Sequence, residues 1–242
     1  MQLFSRLAVF SRASLPASFF PDSDPCSTPF SKPDGNAATL LFNRPALLVS
    51  ATSWTADEDF SILLTALASY EVAALAPDAT LPNLVVVVTG KGALKSAFEA
   101  DVARLESGPQ GWQRVRVRTA WLERADYPRL LGSADLGLSL HASTSGADLP
   151  MKVVDCFGCG LPVCALGFEC VDELIKDGVN GRVFVDAGQL VGQLAGLLVG
   201  GDGGEGERRR LRRGIEAEGT LYAGERWGDW ETHWDRVVRP LL

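Results

Sequence analysis

The chain has 242 residues, a formal net charge of -7 and 46% hydrophobic residues. This length and composition allow one large domain or two small ones with a sizeable core, and the acidic balance argues against a broad nucleic-acid-binding surface. No apolar run reaches the ~18 residues that a membrane span needs. The five cysteines and two histidines lack the spacing of a zinc site, so buried, reduced thiols in a cytosolic protein are favoured.

The first 44 residues carry mixed signals. Residues 1–20 contain two arginines, several serines and no acid, a composition found in transit peptides, while apolar residues at helical spacing within 3–10 predict a packed helix. Residues 21–44 are rich in Pro, Ser, Asp and Gly and show little periodicity, so they predict a linker or a loose loop.

From residue 45 onward, short apolar strands alternate with helices. Strands are predicted at 45–50, 84–88, 115–117, 134–140, 162–166 and 182–185, and helices at 60–70, 92–105, 127–131, 150–158, 171–176 and 189–198. Thr55 is the predicted N-cap of the first of these helices, with Glu58 completing a capping box. Short connections and right-handed crossovers predict an α/β fold: a Rossmann-like parallel sheet with helices on both faces.

The C-terminal part is predicted from composition. Residues 200–206 are rich in glycine and predict a flexible loop, and the arginines of 208–213 predict the solvated face of an amphipathic helix. Tryptophans recur at helical spacing within about 226–238, and such a helix needs a partner surface.

One loop and helix, residues 143–162, carry the strongest functional signal. Asp148, Met151 or Lys152, and Asp155 share one side of a small polar loop and the helix that follows it, and the start of this helix offers free N–H groups and a positive dipole end to the loop. Such an end binds phosphate, and two flanking carboxylates suit the hydroxyls of a ribose and a sugar. The loops at 90–92, 119–122 and 141–149 all leave the carboxyl ends of predicted strands, where ligands of parallel sheets bind. The alternative is a solvated loop that caps an ordinary helix.

Two short motifs resemble the nucleotide-sugar-binding half of GT-B glycosyltransferases. They are Gly-Leu-Pro-Val at 160–163, with Asp155 five residues upstream, and Asp-Gly-Val-Asn-Gly at 177–181. The stretches 53–64, 121–123 and 145–158 resemble, more specifically, the chitobiosyldiphosphodolichol β-mannosyltransferase family. The resemblance runs from about residue 44 to the C-terminus, and weakly over 1–10.

The resemblance implies an inverting, metal-independent transfer of mannose from GDP-mannose to dolichol-diphosphate-linked chitobiose, in the dolichol pathway of protein glycosylation, with no cofactor. Asp155 would bind the nucleotide ribose, and Asp148 stands near the sugar-contacting acid of the family, one residue closer to Asp155 than is usual. His141 is a candidate base or a structural histidine at a strand end. The other implied donor-binding residues are Gly90, Lys91, Trp121, Leu122, Ser143, Thr144, Ser145, Gly146 and Lys152. Since the segment 51–55 has no cation, backbone N–H groups, hydroxyls, Lys152 and Lys91 would neutralise the diphosphate.

Three segments are expected: an N-terminal remnant and linker at 1–43, a GDP-mannose-binding domain at 44–200, and a glycine-rich loop with C-terminal helices at 201–242. Only about forty residues precede the donor-binding half, so the chain alone is expected to bind GDP-mannose without transferring mannose. The family implies the cytosolic face of the endoplasmic reticulum membrane, reached through an N-terminal half or partner chains; without an anchor the chain would be soluble in the cytosol. The alternatives are a non-catalytic GDP-mannose-binding or vestigial module, and a nucleotide-sugar epimerase.

Overall fold

The computed structural model describes residues 2–35, 37–108, 110–142, 148–218 and 234–242. Two strands form an antiparallel hairpin, β1 (Ser31–Asp34) and β2 (Ala37–Leu40). The main sheet consists of β3 (Ala46–Ala51), β4 (Leu84–Thr89), β5 (Val115–Ala120), β6 (Leu136–Ser139), β7 (Val163–Leu166) and β8 (Gly181–Phe184). All its pairings are parallel, in the order β5-β4-β3-β6-β7-β8.

Helices cover both faces of this sheet. They are α1 (Gln2–Arg6), α2 (Phe60–Ala74), α3 (Lys95–Glu106), α4 (Tyr127–Ser133), α5 (Met151–Gly158), α6 (Ala187–Leu198) and α7 (Asp202–Glu218). Short helical turns occur at Ala8–Phe10, Ala17–Phe19, Val171–Glu173, Trp234–Val238 and Arg239–Leu241. This architecture confirms the predicted α/β fold.

The central strands are buried on both faces because their side chains alternate between two apolar clusters. Val86 of β4 packs with α2, α3, α6 and α7, whereas Val85 and Val87 pack with α4, α5 and the N-terminal segment. Every residue of β4 is buried, which explains why its sequence is an unbroken aliphatic run rather than an alternation.

The N-terminal segment is a packed layer, and the prediction of a loose loop over 21–44 is wrong. Phe10, Phe19 and Phe30 are buried against the sheet. The Arg118 side chain of β5 donates to the Ser14 hydroxyl at 2.9 Å and to the Ser14 carbonyl oxygen. Residues 31–40 form the β1–β2 hairpin, whose turn contains Gly35 at a φ of 57°. Aromatic burial thus orders a segment whose composition resembles that of a linker.

The glycine-rich segment at 200–206 is also ordered, and the prediction of a flexible loop there is wrong. Helix α7 begins at Asp202 and runs through most of it. A Cβ on Gly204 would lie 2.4 Å from the carbonyl oxygen of Val199. The glycine therefore allows α7 to pack closely on the end of α6, and this contact offsets the low helix propensity of glycine.

Two further local predictions need correction. The N-cap of α2 is Asp59, whose side chain accepts a hydrogen bond from the backbone N–H of Ser61 at 2.9 Å, rather than Thr55. The segment 171–176 contains only a single helical turn at Val171–Glu173.

The tryptophan-bearing segment at 226–238 lies outside the described residues except for its last turn, Trp234–Val238. None of the described helices is long and apolar enough to cross a bilayer.

Candidate functional site

The carboxyl edge of the parallel sheet collects the predicted site residues. Thr52 follows β3, Gly90 follows β4, Trp121 follows β5, and His141 lies just beyond β6. The start of α5 approaches the same edge, because Glu58 of the β3–α2 loop contacts Lys152 in the first turn of that helix. The predicted convergence of these loops is confirmed for the described residues.

Two loops at this edge are packed backbone to backbone. Gly90 has a φ of 145°, and a Cβ there would lie 1.8 Å from the carbonyl oxygen of Thr52. A Cβ on Gly92 would lie 2.1 Å from the carbonyl oxygen of Ser53. The adjacent Trp54 is buried and has a positive φ of 54°, an uncommon conformation for a bulky residue. The glycine at position 90 is therefore required by packing of the protein itself.

A buried hydrogen-bond network joins the β3–α2 loop to α5. The Glu58 side chain is 1% exposed, and its Oε1 lies 2.5 Å from the Lys152 Nζ. The other carboxylate oxygen of Glu58 accepts a hydrogen bond from the Thr52 hydroxyl. The Thr52 hydroxyl oxygen in turn accepts from the backbone N–H of Trp54 at 2.7 Å. Lys152 is thus tethered at the start of α5, with 20% of its side chain exposed.

His141 lies between two carboxylates. Its Nε2 is 2.7 Å from the Asp148 Oδ2, and its Nδ1 is 3.6 Å from the Asp57 Oδ2. A hydrogen bond from Thr55 holds the pKa of Asp57 below its ordinary value, and His141 and Lys152 act in the same direction. The two candidate catalytic residues, His141 and Asp148, are therefore in direct contact, and the geometry fits a histidine whose orientation is fixed by acids.

Asp155 lies one turn further along α5 and is exposed. The Tyr127 hydroxyl, at the start of α4, donates to the Asp155 Oδ2 at 3.2 Å. Burial, together with the Asp155 charge, raises the pKa of Tyr127, so this hydroxyl keeps its proton as a donor across the neutral range. The Asp155 carboxylate is available to hydroxyl donors on its exposed side.

Trp121 and Lys91 form a cation–π pair at the mouth of this edge. The Lys91 Nζ lies 4.1 Å from the centroid of the indole, and Trp121 is 61% exposed. Leu122 packs partly into the apolar cluster beneath. An exposed indole held by a lysine offers a flat surface on which a planar ring can stack.

The predicted loop residues Ser143, Thr144, Ser145 and Gly146 lie outside the described residues. Sequence analysis placed Lys152 in the site but missed its partner Glu58, and it also missed Asp57 and Tyr127. The signal that could have identified Glu58 and Asp57 is the acidic run at 57–59, in the loop that leaves β3 at the ligand edge of the sheet. Within the described ranges, no group of three or more His, Cys, Asp or Glu side chains is arranged to hold a metal ion.

Comparison with known proteins gives consistent results. Residues 72–233 match the glycosyl transferase-like family model. The chitobiosyldiphosphodolichol β-mannosyltransferase of Mus musculus is 49% identical over 202 residues, which cover 84% of this chain and 39% of that protein. The UDP-glycosyltransferase TURAN of Arabidopsis thaliana is 44% identical over 216 residues, covering 84% of this chain and 44% of that protein.

The chain therefore spans about two fifths of the length of these curated relatives. Among solved structures, the C-terminal domain of a glycosyl transferase group 1 family protein (LpcC) from Francisella tularensis matches with a TM-score of 0.52. The identity is 14%, and the match covers 75% of this chain and 87% of that one. At this identity the likeness concerns the fold alone.

Proposed function

We propose that the sheet edge of this chain, which belongs to the chitobiosyldiphosphodolichol β-mannosyltransferase family, is the donor site of a mannosyltransferase. The donor would be GDP-mannose, and the acceptor would be chitobiosyl-diphosphodolichol. The observation that carries the proposal is the convergence of Lys91, Trp121, Lys152 and Asp155 on one edge of the sheet. This edge is where ligands of open α/β sheets bind.

Each group at the edge has chemistry that suits one part of a nucleoside diphosphate sugar. The exposed indole of Trp121 suits stacking of the guanine base. The Asp155 carboxylate suits the ribose hydroxyls, because an ionised carboxylate accepts strong hydrogen bonds. Lys152 and the first N–H groups of α5 suit the diphosphate. Together these groups would contact the base, the ribose and the diphosphate of one donor molecule.

The proposed reaction inverts the configuration of the anomeric carbon. The acceptor hydroxyl attacks C1 of mannose, the C1–O bond to the diphosphate breaks, and GDP leaves with the bonding electron pair. The hydroxyl proton passes to a base within hydrogen-bond reach. His141, oriented by Asp57 and Asp148, is the candidate base or sugar contact. The leaving GDP gains charge as the bond breaks, and the ammonium group of Lys152 stabilises it.

The acceptor chemistry also implies a location. A dolichol-linked acceptor is held in a membrane, so the proposed enzyme works at the endoplasmic reticulum membrane, facing the cytosolic pool of GDP-mannose. The helices of the described residues do not include a membrane-spanning one. By its resemblance to the family, the proposed membrane contact involves an N-terminal half or partner chains.

A transfer assay tests the catalytic part of the proposal. The chain is incubated with GDP-mannose carrying labelled mannose and with chitobiosyl-diphospholipid, and incorporation into lipid is measured against a blank. We expect GDP-mannose to bind; if mannose is also incorporated, incorporation should fall in Asp148→Asn while GDP affinity is retained, because Asp148 contacts His141, the candidate base. GDP-mannose binding with no transfer above the blank would instead identify a donor-binding module, which is the second candidate function.

A further inference from the structure

The acidic run at 57–59 poses an electrostatic problem for the proposed donor site. Asp57 and Glu58 lie beside the start of α5, where a diphosphate would bind, and an anion is repelled by nearby carboxylates. Glu58 is moreover buried, and burying an ionised carboxylate is costly unless a cation and hydrogen bonds compensate for it. The cation that compensates the buried Glu58 carboxylate is the Lys152 ammonium group.

The contacts of Glu58 fix its carboxylate on both oxygens. Oε1 lies 2.5 Å from the Lys152 Nζ, and the other oxygen accepts from the Thr52 hydroxyl. The Thr52 oxygen is itself held by the Trp54 N–H at 2.7 Å. This chain of bonds leaves the carboxylate little freedom to rotate, so the position of the ammonium group is determined by the β3–α2 loop.

Lys152 retains the capacity to bind an anion while it is held. An ammonium group has three protons, and one serves Glu58, which leaves two for other acceptors. The side chain is 20% exposed, so it is reachable from the open edge of the sheet. A lysine is long and flexible, and fixing it in advance removes the entropy loss that binding would otherwise incur.

We propose that Glu58 is a positioning residue that holds the Lys152 ammonium group at the start of α5 for the diphosphate of the donor. The inference rests on the proposed function, since it assumes a nucleoside diphosphate at this edge. It assigns the buried acid a role in binding, exerted through Lys152, rather than in folding alone. The cation of the site comes from α5, and the β3–α2 loop supplies its counter-charge.

The direction of the change in GDP affinity distinguishes a positioning role of Glu58 from simple electrostatic repulsion. Removing a negative charge near an anion site should raise anion affinity, whereas removing a positioning group should lower it. In Glu58→Gln we expect GDP affinity to fall about 5- to 20-fold, because Lys152 is no longer held. Guanosine, which has no phosphate, should bind with an affinity unchanged within about twofold in the same variant, measured by nuclear magnetic resonance titration.

Asp59→Asn is the matched control. It removes the same charge from the adjacent position, and asparagine caps a helix as well as aspartate does. Asp59 accepts a hydrogen bond from the Ser61 N–H at 2.9 Å and is exposed. GDP affinity in this variant should equal or exceed that of the wild type, whereas it should fall in Glu58→Gln.

A double-mutant cycle with Lys152→Gln completes the test. If Glu58 acts through Lys152, Glu58→Gln causes no further loss of GDP affinity in the Lys152→Gln background. Should the single Glu58→Gln variant fail to fold, Glu58→Asp takes its place: the shorter side chain keeps the charge but withdraws the carboxylate from the Lys152 ammonium group, so GDP affinity should fall while guanosine affinity stays unchanged within about twofold. Unchanged or raised GDP affinity in Glu58→Gln, an equal loss for GDP and guanosine, or a further loss in the Lys152→Gln background overturns the inference alone. Absence of GDP binding by the wild-type chain overturns the proposed function as well.

Discussion

Replacing Gly90 by alanine should destabilise the fold through the contact between two loops. The new Cβ would lie 1.8 Å from the Thr52 carbonyl oxygen, whereas ordinary contacts of a Cβ begin at 3.4 Å, so the loops must separate. Overpacking of this kind costs about 1–3 kcal/mol. The φ of 145° is strained for any side chain, which adds about 1–3 kcal/mol. We therefore expect a loss of about 2–6 kcal/mol in the free energy of unfolding.

Thermal unfolding measures this loss directly. For a chain of this size each kcal/mol corresponds to about 2–4 °C in Tm, so a loss near the middle of the range lowers Tm by roughly 8–16 °C. Gly192→Ala is the matched control, because Gly192 lies in α6 with open space around its would-be Cβ. That variant should gain about 0.5–1 kcal/mol. A Gly90→Ala protein with unchanged Tm and weakened GDP binding would refute the packing argument and assign Gly90 to the ligand.

Three further predictions concern single carboxylates. Glu71 is buried and accepts hydrogen bonds from three backbone N–H groups at the start of β5. In Glu71→Gln one of these N–H groups faces an amide donor, so the free energy of unfolding, measured by urea titration, should fall by about 2–4 kcal/mol. An unshifted midpoint would contradict this. Burial alone would raise the pKa of Asp135, but its Arg44 partner holds the pKa below its ordinary value. Its stabilising effect is therefore present above about pH 4 and lost as pH falls below that. The difference in unfolding free energy between wild type and Asp135→Asn should shrink from pH 7 to pH 2, and a constant difference would argue against the ion pair. Asp155→Ala should weaken GDP binding by about 1.5–3 kcal/mol, and an unchanged Kd in calorimetry would remove Asp155 from the site.

The sequence was most informative where local pattern and tertiary role coincide. The aliphatic run of β4 predicts a strand buried on both faces, and the structure buries every residue of it. Gly160 follows α5 with a φ of 66°, a left-handed conformation that glycine commonly adopts after the end of a helix. In each case the property that the chain needs, apolar bulk or a positive φ, is visible in the residue type itself.

The N-terminal segment and Glu58 show where sequence reasoning failed. The segment 21–44 has the composition of a linker, yet its Phe30 is buried against Phe4 and Phe10, a contact that exists only in the finished fold. Glu58 has the spacing of a capping box with Thr55, yet its partner Lys152 lies 94 positions away. Contacts of such sequence separation depend on the fold as a whole, and a local pattern cannot distinguish them from a cap.

The parallel edge itself was predictable, whereas the pairings within it were not. Asp148, Lys152 and Asp155 are expected on one side of the loop and helix, but Asp148 precedes α5, which begins at Met151, and the three side chains contact three different elements. Asp148 contacts His141 beyond β6, Lys152 contacts Glu58 of the β3–α2 loop, and Asp155 contacts Tyr127 at the start of α4. The helix therefore presents its polar groups already oriented, a feature that only the tertiary structure reveals.

Calorimetric titration of the chain with GDP-mannose, and in parallel with UDP-glucose, measures which class of donor this sheet edge binds. We expect saturable binding of GDP-mannose at one site per chain, displaced by GDP and weakened in Asp155→Ala. UDP-glucose should bind at least tenfold more weakly, that is, by about 1.4 kcal/mol or more. Tighter binding of UDP-glucose, or no binding of GDP-mannose at millimolar concentration, would contradict the assignment of this sheet edge as a GDP-mannose site.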